Sequence, residues 1–283
     1  MEGTEAKQQI CHALLMASPP GEFNEVLESC RTLVGDDTVL DPVVEEISHA
    51  YNVDQMNIVT LPTGEKGLIT AYGEVSPNQY IIPKKSLLIT YQHLQGTVTD
   101  TRPLAPEELS DKEPLRQAVE AAMNAYVAER YKDGVCEVYA NQYEDGSSAL
   151  VICLQATRIN ATSMWTGRWR SVWTITLSSA NADCKGTFQV HTHCYEGGNV
   201  QLKSSSEVSA TLEMAEPAPF AQALIALIRA NEQKYHSQID ESFTRLGEDT
   251  FRALRFQLPI SKQRVDWQTI AAQSKVGHEL GRK

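Results

Sequence analysis

Three of the chain's four tryptophans fall at intervals of four within Trp165-Thr166-Gly167-Arg168-Trp169-Arg170-Ser171-Val172-Trp173. A spacing of four returns to one face of a helix and also to one side of a pleated strand, so the interval alone leaves both open. The continuation decides between them: Thr174-Ile175-Thr176-Leu177 alternates and is rich in β-branched residues. The stretch reads as a long strand with Trp165, Trp169, Trp173, Ile175 and Leu177 on one side. Arg168, Arg170, Val172, Thr174 and Thr176 take the other.

The flanking segments extend the pattern from Gly134 to Leu212. Gly134 to Tyr143 reads as a strand, Asp145-Gly146 as a turn, and Ala149 to Thr157 as an apolar run buried on both faces. Thr187 to Tyr195 alternates, Gly197-Gly198-Asn199 is the next turn, and Val200 to Leu212 closes the series. Connections this short imply an antiparallel meander of about five strands, because parallel crossovers need roughly a dozen residues or more.

Before this sheet the first fifty residues read as three short helices. Their apolar stripes are Ile10, Ala13, Leu14 and Ala17; then Phe23, Val26, Leu27, Cys30 and Val34; then Val43, Val44, Ile47 and Tyr51, with Asp41 as cap and Pro42 at the first helical position. Short loops between them suggest an antiparallel helical stalk over 1–53. Small strands punctuated by proline and glycine, then a linker, fill 54–112. A helix from Glu113 to Tyr131, striped by Leu115, Val119, Ala122, Met123 and Tyr126, opens the segment 113–216 that carries the meander. From Pro217 a helical pattern continues to about Leu258, and a helix of about 40 residues is roughly 60 Å long. A helix of that length reaches beyond its own subunit, and an open sheet edge invites a partner. The fold class expected is therefore α+β, with an antiparallel sheet covered by a long helix and completed by a second subunit.

No apolar stretch reaches the roughly 20 residues of a membrane span, and Met1-Glu2-Gly3-Thr4-Glu5 has no signal-peptide character, so a cytosolic protein is expected. Six cysteines without a Cys-x-x-Cys pair read as free buried thiols. From Phe251 to Lys283 seven basic residues (Arg252, Arg255, Lys262, Arg264, Lys275, Arg282, Lys283) stand against two acidic ones (Asp266, Glu279), whereas the whole chain carries a net charge of −11. A basic tail (259–283) on an acidic body suits an acidic partner. On a helical wheel Val265, Ala272, Val276 and Leu280 fall on one side of that tail, and Trp267, Ile270 and Ala271 on the other.

No catalytic motif is present: there is no Gly-x-Ser-x-Gly elbow, phosphate-binding glycine loop or His-Glu-x-x-His. His191 and His193 share a strand face and are the one candidate metal pair, but Cys194 points away and three or four converging ligands are normally needed. No catalytic residue, metal or cofactor is therefore expected. Arg168 and Arg170 are expected to pair with carboxylates across the sheet or from a covering helix.

The run WTGRWRSVW closely resembles the signature of the F-actin capping protein α-subunit family. His193-Cys194-Tyr195-Glu196-Gly197-Gly198-Asn199-Val200 resembles the family's His-Tyr-Tyr-Glu-Asp-Gly-Asn-Val. Phe251-Arg252-Ala253-Leu254-Arg255-Phe256-Gln257-Leu258-Pro259 resembles its Phe-Lys-Ala-Leu-Arg-Arg-x-Leu-Pro, and Pro19-Pro20-Gly21-Glu22-Phe23-Asn24-Glu25-Val26 matches near the start. Departures are Cys194 for tyrosine, Gly197 for aspartate and Phe256 for the second arginine. The resemblance implies a heterodimer with a capping protein β-subunit, the two forming one continuous sheet under antiparallel long helices. The dimer would bind F-actin barbed ends without calcium and block subunit exchange, in the cytoplasm and cortical actin cytoskeleton. It marks Trp165, Gly167, Arg168, Trp169, Arg170, Trp173, Tyr195, Gly198 and Asn199 as structural signature residues. The actin-contacting set would be Arg252, Arg255, Lys262, Arg264, Trp267, Lys275 and Leu280. Acidic phospholipids and capping-protein regulators are further implied partners, and nucleic acid is not. The alternative is a non-catalytic scaffold subunit in an actin-related filament assembly of the dynactin kind.

Overall fold

The computed structural model describes residues 2–105, 112–142, 148–160, 164–195 and 200–245. The chain divides into two units, Met1–Arg229 and Ala230–Lys283. Within the first, three helices come first: α1 (Glu2–Met16), α2 (Phe23–Val34) and α3 (Val44–Asp54). They close on one core of Cys11, Leu15, Leu27, Cys30, Leu40, Val44 and Ile47, with Phe23, Val26, Val34 and Val43 partly buried around it. Gly35 ends α2 in the left-handed conformation, φ 68°, its N–H donating to the Arg31 carbonyl, a role glycine fills without a steric cost.

Two details differ from the sequence reading. In α1 it is Cys11 and Leu15 that face the core, whereas Ile10 (61% exposed), Ala13, Leu14 (44%) and Ala17 face outward. The helix carries apolar residues on two sides, and periodicity cannot say which side meets α2. Helix α3 opens at Val44 rather than Pro42, because the N–H groups of Val43 and Val44 both reach back to the Leu40 carbonyl at 2.9 Å in a turn.

The next segment forms two small antiparallel sheets. Strands β1 (Ile58–Thr60) and β2 (Lys66–Leu68) pair together, and β3 (Glu74–Ser76), β4 (Gln79–Ile82), β5 (Leu87–Gln92) and β6 (Thr97–Pro103) follow in chain order. Tyr80, Ile82, Ile89 and Tyr91 join Val59, Leu61 and Ile69 in their shared core.

Helix α4 (Glu113–Arg130) then leads into the large sheet of β7 (Val135–Gln142), β8 (Ser148–Asn160), β9 (Trp165–Leu177), β10 (Asn181–Cys194) and β11 (Val200–Glu213). The five strands lie side by side in that order, each antiparallel to the next. Strand β10 begins at Asn181, earlier than the alternation from Thr187 suggests. Residues Ala149 to Leu154 of β8 are all buried, as an apolar run without alternation requires. One face of the sheet meets Met56, Leu68 and Ile58 from the preceding segment. On the other, α4 packs against β7, burying Leu115, Val119, Met123 and Tyr126.

Helix α5 (Pro217–Arg245, 29 residues) follows, about 43 Å at 1.5 Å per residue, with Phe220, Leu224 and Ile228 buried. Arg229 forms a forked pair with Glu129 of α4, at 3.2 and 2.7 Å, and lies 5.2 Å from the centre of the Tyr126 ring. The expected continuation of the helix to Leu258 lies outside the described residues. Five cysteines are buried and free as expected, but Cys194, the last residue of β10, is exposed.

Candidate functional site

The signature strand β9 separates two environments by simple alternation. On the helix side, Trp169 stacks between Tyr131 (centroids 6.1 Å apart, planes at 21°) and Phe188 (5.8 Å, 24°). Trp173 meets Phe188 edge-on at 5.6 Å, and its indole N–H donates to the Ser171 hydroxyl at 3.1 Å. Directly across the ladder from Trp173 is Gly186. A Cβ added at Gly186 would lie 2.7 Å from the indole, so the absence of a side chain there makes room for the ring. At the start of the strand, Arg158 lies over the Trp165 ring at 5.6 Å.

The opposite side carries the basic residues, and they reach to the N-terminal helices. Arg168 is buried, and its Nη1 donates to Oε1 of Gln55, the residue that caps α3, at 2.7 Å. Burial holds its guanidinium below the usual arginine value, with the neighbouring Tyr51 hydroxyl acting in the opposite sense. That hydroxyl donates to the carbonyls of Ser18 and Pro19, at 3.5 and 3.4 Å. Arg170 donates to the Asp54 carbonyl and lies 3.6 Å from the Asp54 carboxylate, the pairing with a carboxylate that the arginine alternation implied. The Asp54 carbonyl belongs to the C-terminal turn of α3, where cations are favoured.

The histidines serve the same junction. His193 pairs with Glu22 at 2.7 Å, and the Thr166 hydroxyl donates to the same carboxylate oxygen at 3.5 Å. His191 instead meets the Gln201 side chain at 3.1 Å. The two imidazoles have different partners, and among the described residues no group of three or more His, Cys, Asp or Glu is placed to hold a metal ion. Lys203 on β11 donates to the Ala17 carbonyl at 3.2 Å, just past the end of α1.

The signature residues Trp165, Gly167, Arg168, Trp169, Arg170 and Trp173 thus form a scaffold: one side packs aromatic rings, the other clamps α3 and the α1–α2 turn. Tyr195 is partly exposed, with its N–H donating to the Met164 carbonyl at 2.9 Å and its ring 5.4 Å from that of His193. Gly198 and Asn199 lie outside the described residues. So do Arg252, Arg255, Lys262, Arg264, Trp267, Lys275 and Leu280.

Sequence reasoning missed the receivers of these bonds, Glu22, Asp54 and Gln55. The signal for them is slight: they stand at helix ends, where polar residues are common for local reasons. The far side of β11 is the other feature of note. Among the described residues no strand pairs with it, and the sheet ends there over 14 residues.

The class the fold defines is α+β, with antiparallel sheets of which the largest is clamped to the N-terminal helices. The F-actin capping protein alpha subunit family model matches residues 11–279. The chain is 32% identical over 284 residues to the F-actin-capping protein subunit alpha of Dictyostelium discoideum, covering 100% of both chains. It is 31% identical to the Caenorhabditis elegans protein of the same name, covering 97% of each. Among solved structures it resembles the homodimeric actin capping protein alpha subunit from Plasmodium berghei, with a TM-score of 0.74 at 20% identity, covering 85% of this chain and 93% of that one. The chain belongs to the F-actin capping protein alpha subunit family, a structural, actin-capping family.

Proposed function

We propose that this chain pairs with a capping protein β-subunit and that the heterodimer binds the barbed ends of actin filaments independently of calcium, blocking both addition and loss of actin. The observation that carries the reading is a family match over residues 11–279; among the described residues, moreover, no strand pairs with the outer side of β11. Pairing along that edge would give one continuous sheet. The face of β11 on the helix side, Leu202, Ser204, Ser206, Val208, Ala210 and Leu212, is half-buried, which suits cover by a partner's helix. The outward stripe of Ile10, Leu14 and Ala17 on α1 offers further apolar surface, reaching to the Ala17 carbonyl on which Lys203 of β11 docks.

In this reading actin is met by the basic end of the chain. Arg252 and Arg255 are three apart in sequence, a spacing that would make them neighbours if the segment were helical, and Lys262, Arg264 and Lys275 add to the charge. Trp267 and Leu280 add apolar contact. Attraction to an acidic actin surface would speed encounter, and apolar burial would slow release. The same basic residues would answer to acidic phospholipids and regulators. The domain reading keeps 1–53 as stalk, 54–112 as small β region and linker, 113–216 as helix and sheet, 217–258 as long helix and 259–283 as tail. The site of action is the cytoplasm and its cortical actin cytoskeleton.

Co-expression with a β-subunit, followed by elongation from actin seeds in the presence and absence of a calcium chelator, tests this. Arrest of barbed-end growth in both conditions is expected. A stable dimer that leaves growth unchanged would favour a scaffold role.

A further inference from the structure

Helices α1 and α2 each turn one cysteine into the core they share: Cys11 is 3% exposed and Cys30 1%. The two helices pack against each other and are joined by a turn at residues 17–22. So short a connection makes them antiparallel neighbours, and positions at similar distances from the turn lie side by side. Leu15 and Leu27 are the inward residues nearest the turn. Cys11 stands four residues before Leu15 and Cys30 three after Leu27, steps that keep to one helix face and carry both thiols about one turn further out. There they meet, the Cys30 thiol hydrogen-bonded to Cys11. We propose that Cys11 and Cys30 are a redox-active pair, which a peroxide closes into a disulfide bridging the two helices and a dithiol opens again.

The other four cysteines are not so placed. On β7 and β8, Cys136 stands opposite Leu154, and Cys153 opposite Glu137. Successive strand residues point to opposite sides, so these two sulfurs lie on opposite sides of the sheet. On β10, Cys184 comes ten residues before Cys194, about 33 Å along a strand. One pair of the six is thus aimed thiol to thiol from two facing backbones, the first requirement of a disulfide.

Burial pushes the Cys30 thiol up from 9.0 to about 11, and Cys11 beside it acts in the same direction. Cys30 therefore rests as a protonated thiol, suited to resolve a sulfenic acid rather than to attack a peroxide. In the proposed step the Cys11 sulfur gives up its proton and attacks one peroxide oxygen. The O–O bond breaks, leaving a sulfenic acid on Cys11, and the released hydroxide takes a proton to become water. The Cys30 sulfur then displaces the sulfenic hydroxyl, forming the S–S bond, and the Cys30 proton leaves with that hydroxyl as a second water. Two thiols and one hydrogen peroxide give one disulfide and two waters, with two electrons passing from sulfur to oxygen.

The bond closes a loop from residue 11 to residue 30, which restricts the unfolded chain and so stabilises the oxidised form. It also fastens the helical hairpin whose turn the large sheet holds through Glu22 and His193. The inference goes beyond the capping reading and does not rest on it.

The test uses the full chain carrying Cys194→Ser, which removes the exposed thiol as a route to cross-links between chains. Hydrogen peroxide is added to the folded protein, remaining thiols are alkylated, and the protein is digested without reductant for mass spectrometry. Two peptides joined through Cys11 and Cys30 are expected, lighter by two hydrogens than their sum, and dithiothreitol should separate them. Followed by circular dichroism, the oxidised chain should melt about 5 °C or more above the reduced one. Cys11→Ala and Cys30→Ala, each in the same background, should give no joined peptide and a melting temperature indifferent to peroxide. Separate Cys11 and Cys30 peptides from a peroxide-treated, folded chain would overturn the inference. So would a joined peptide that forms only after unfolding in guanidinium chloride, or a melting temperature that rises equally in the alanine variants. The digest of the parent chain decides the matter even where an alanine variant fails to fold.

Discussion

The guanidinium of Arg168, in the middle of the tryptophan strand, donates to the Gln55 side chain at 2.7 Å and so ties the end of α3 to the large sheet. Among the described residues the Arg168 Nε has no hydrogen-bond partner, so Gln55 matters to a buried charge short of acceptors there. Gln55→Ala should lower stability by about 1–3 kcal/mol, the cost of leaving a buried polar group unanswered. A urea titration that shows an unchanged midpoint would contradict the clamp.

Trp173 and Gly186 make a second such pair. Gly186→Ala places a Cβ 2.7 Å from a rigid, fully buried indole, which has to move. Overpacking of this kind costs about 1–3 kcal/mol. Tryptophan fluorescence should shift alongside the midpoint, and a variant with wild-type emission and stability would show that the strand gives way freely.

Glu137 of β7 is fully buried, and its carboxyl is pushed up from 4.5 to about 8 by burial, with Glu120 adding to the shift. The Lys84 N–H, donating at 3.3 Å, and the charges of Lys84 and Arg116 act in the opposite sense. Between pH 4.5 and 8 the unfolded chain loses this proton while the folded chain keeps it, so the stability this group contributes falls as pH rises through that window. Glu137→Gln should therefore gain stability relative to wild type at pH 8 and gain least near pH 5. Parallel wild-type and variant curves across that range would refute the assignment.

His93 carries the acid limb. Its ring meets Asn52 at 3.2 Å through Nδ1 and the Tyr80 hydroxyl at 3.0 Å through Nε2, joining α3 to the small sheet. Burial, and then the charge of His49, lower it from 6.5 to about 4. The unfolded chain takes up a proton before the folded one does, so this contribution is present above pH 6.5 and lost as pH falls towards 4. His93→Gln should flatten the loss between those values in an acid titration followed by near-UV circular dichroism. An acid limb as steep as that of the wild type would rule His93 out as its source.

Much of the scaffold was legible because strands alternate without ambiguity. Trp169 and Trp173 against Arg168 and Arg170 could be sorted by parity alone, and the apolar run in β8 announced burial on both sides. Helix α1 shows where that logic stops: Ile10 and Leu14 make as regular a stripe as Cys11 and Leu15, and only packing against α2 chooses between them. Glu22, Asp54 and Gln55 were illegible for a related reason, since their partners lie more than a hundred residues away in sequence. The basic residues assigned to actin contact came from resemblance and charge balance, and they lie beyond the described part of the chain.

The most direct measurement is barbed-end elongation from actin seeds with the β-subunit heterodimer, comparing the intact chain with the combined Arg252→Ala, Arg255→Ala and Lys262→Ala variant. The account predicts that the intact dimer halts growth, and that the triple variant assembles equally well yet loses at least tenfold in capping affinity, about 1.4 kcal/mol. An intact dimer that leaves filaments growing, or a triple variant that caps as tightly as the intact one, would contradict it.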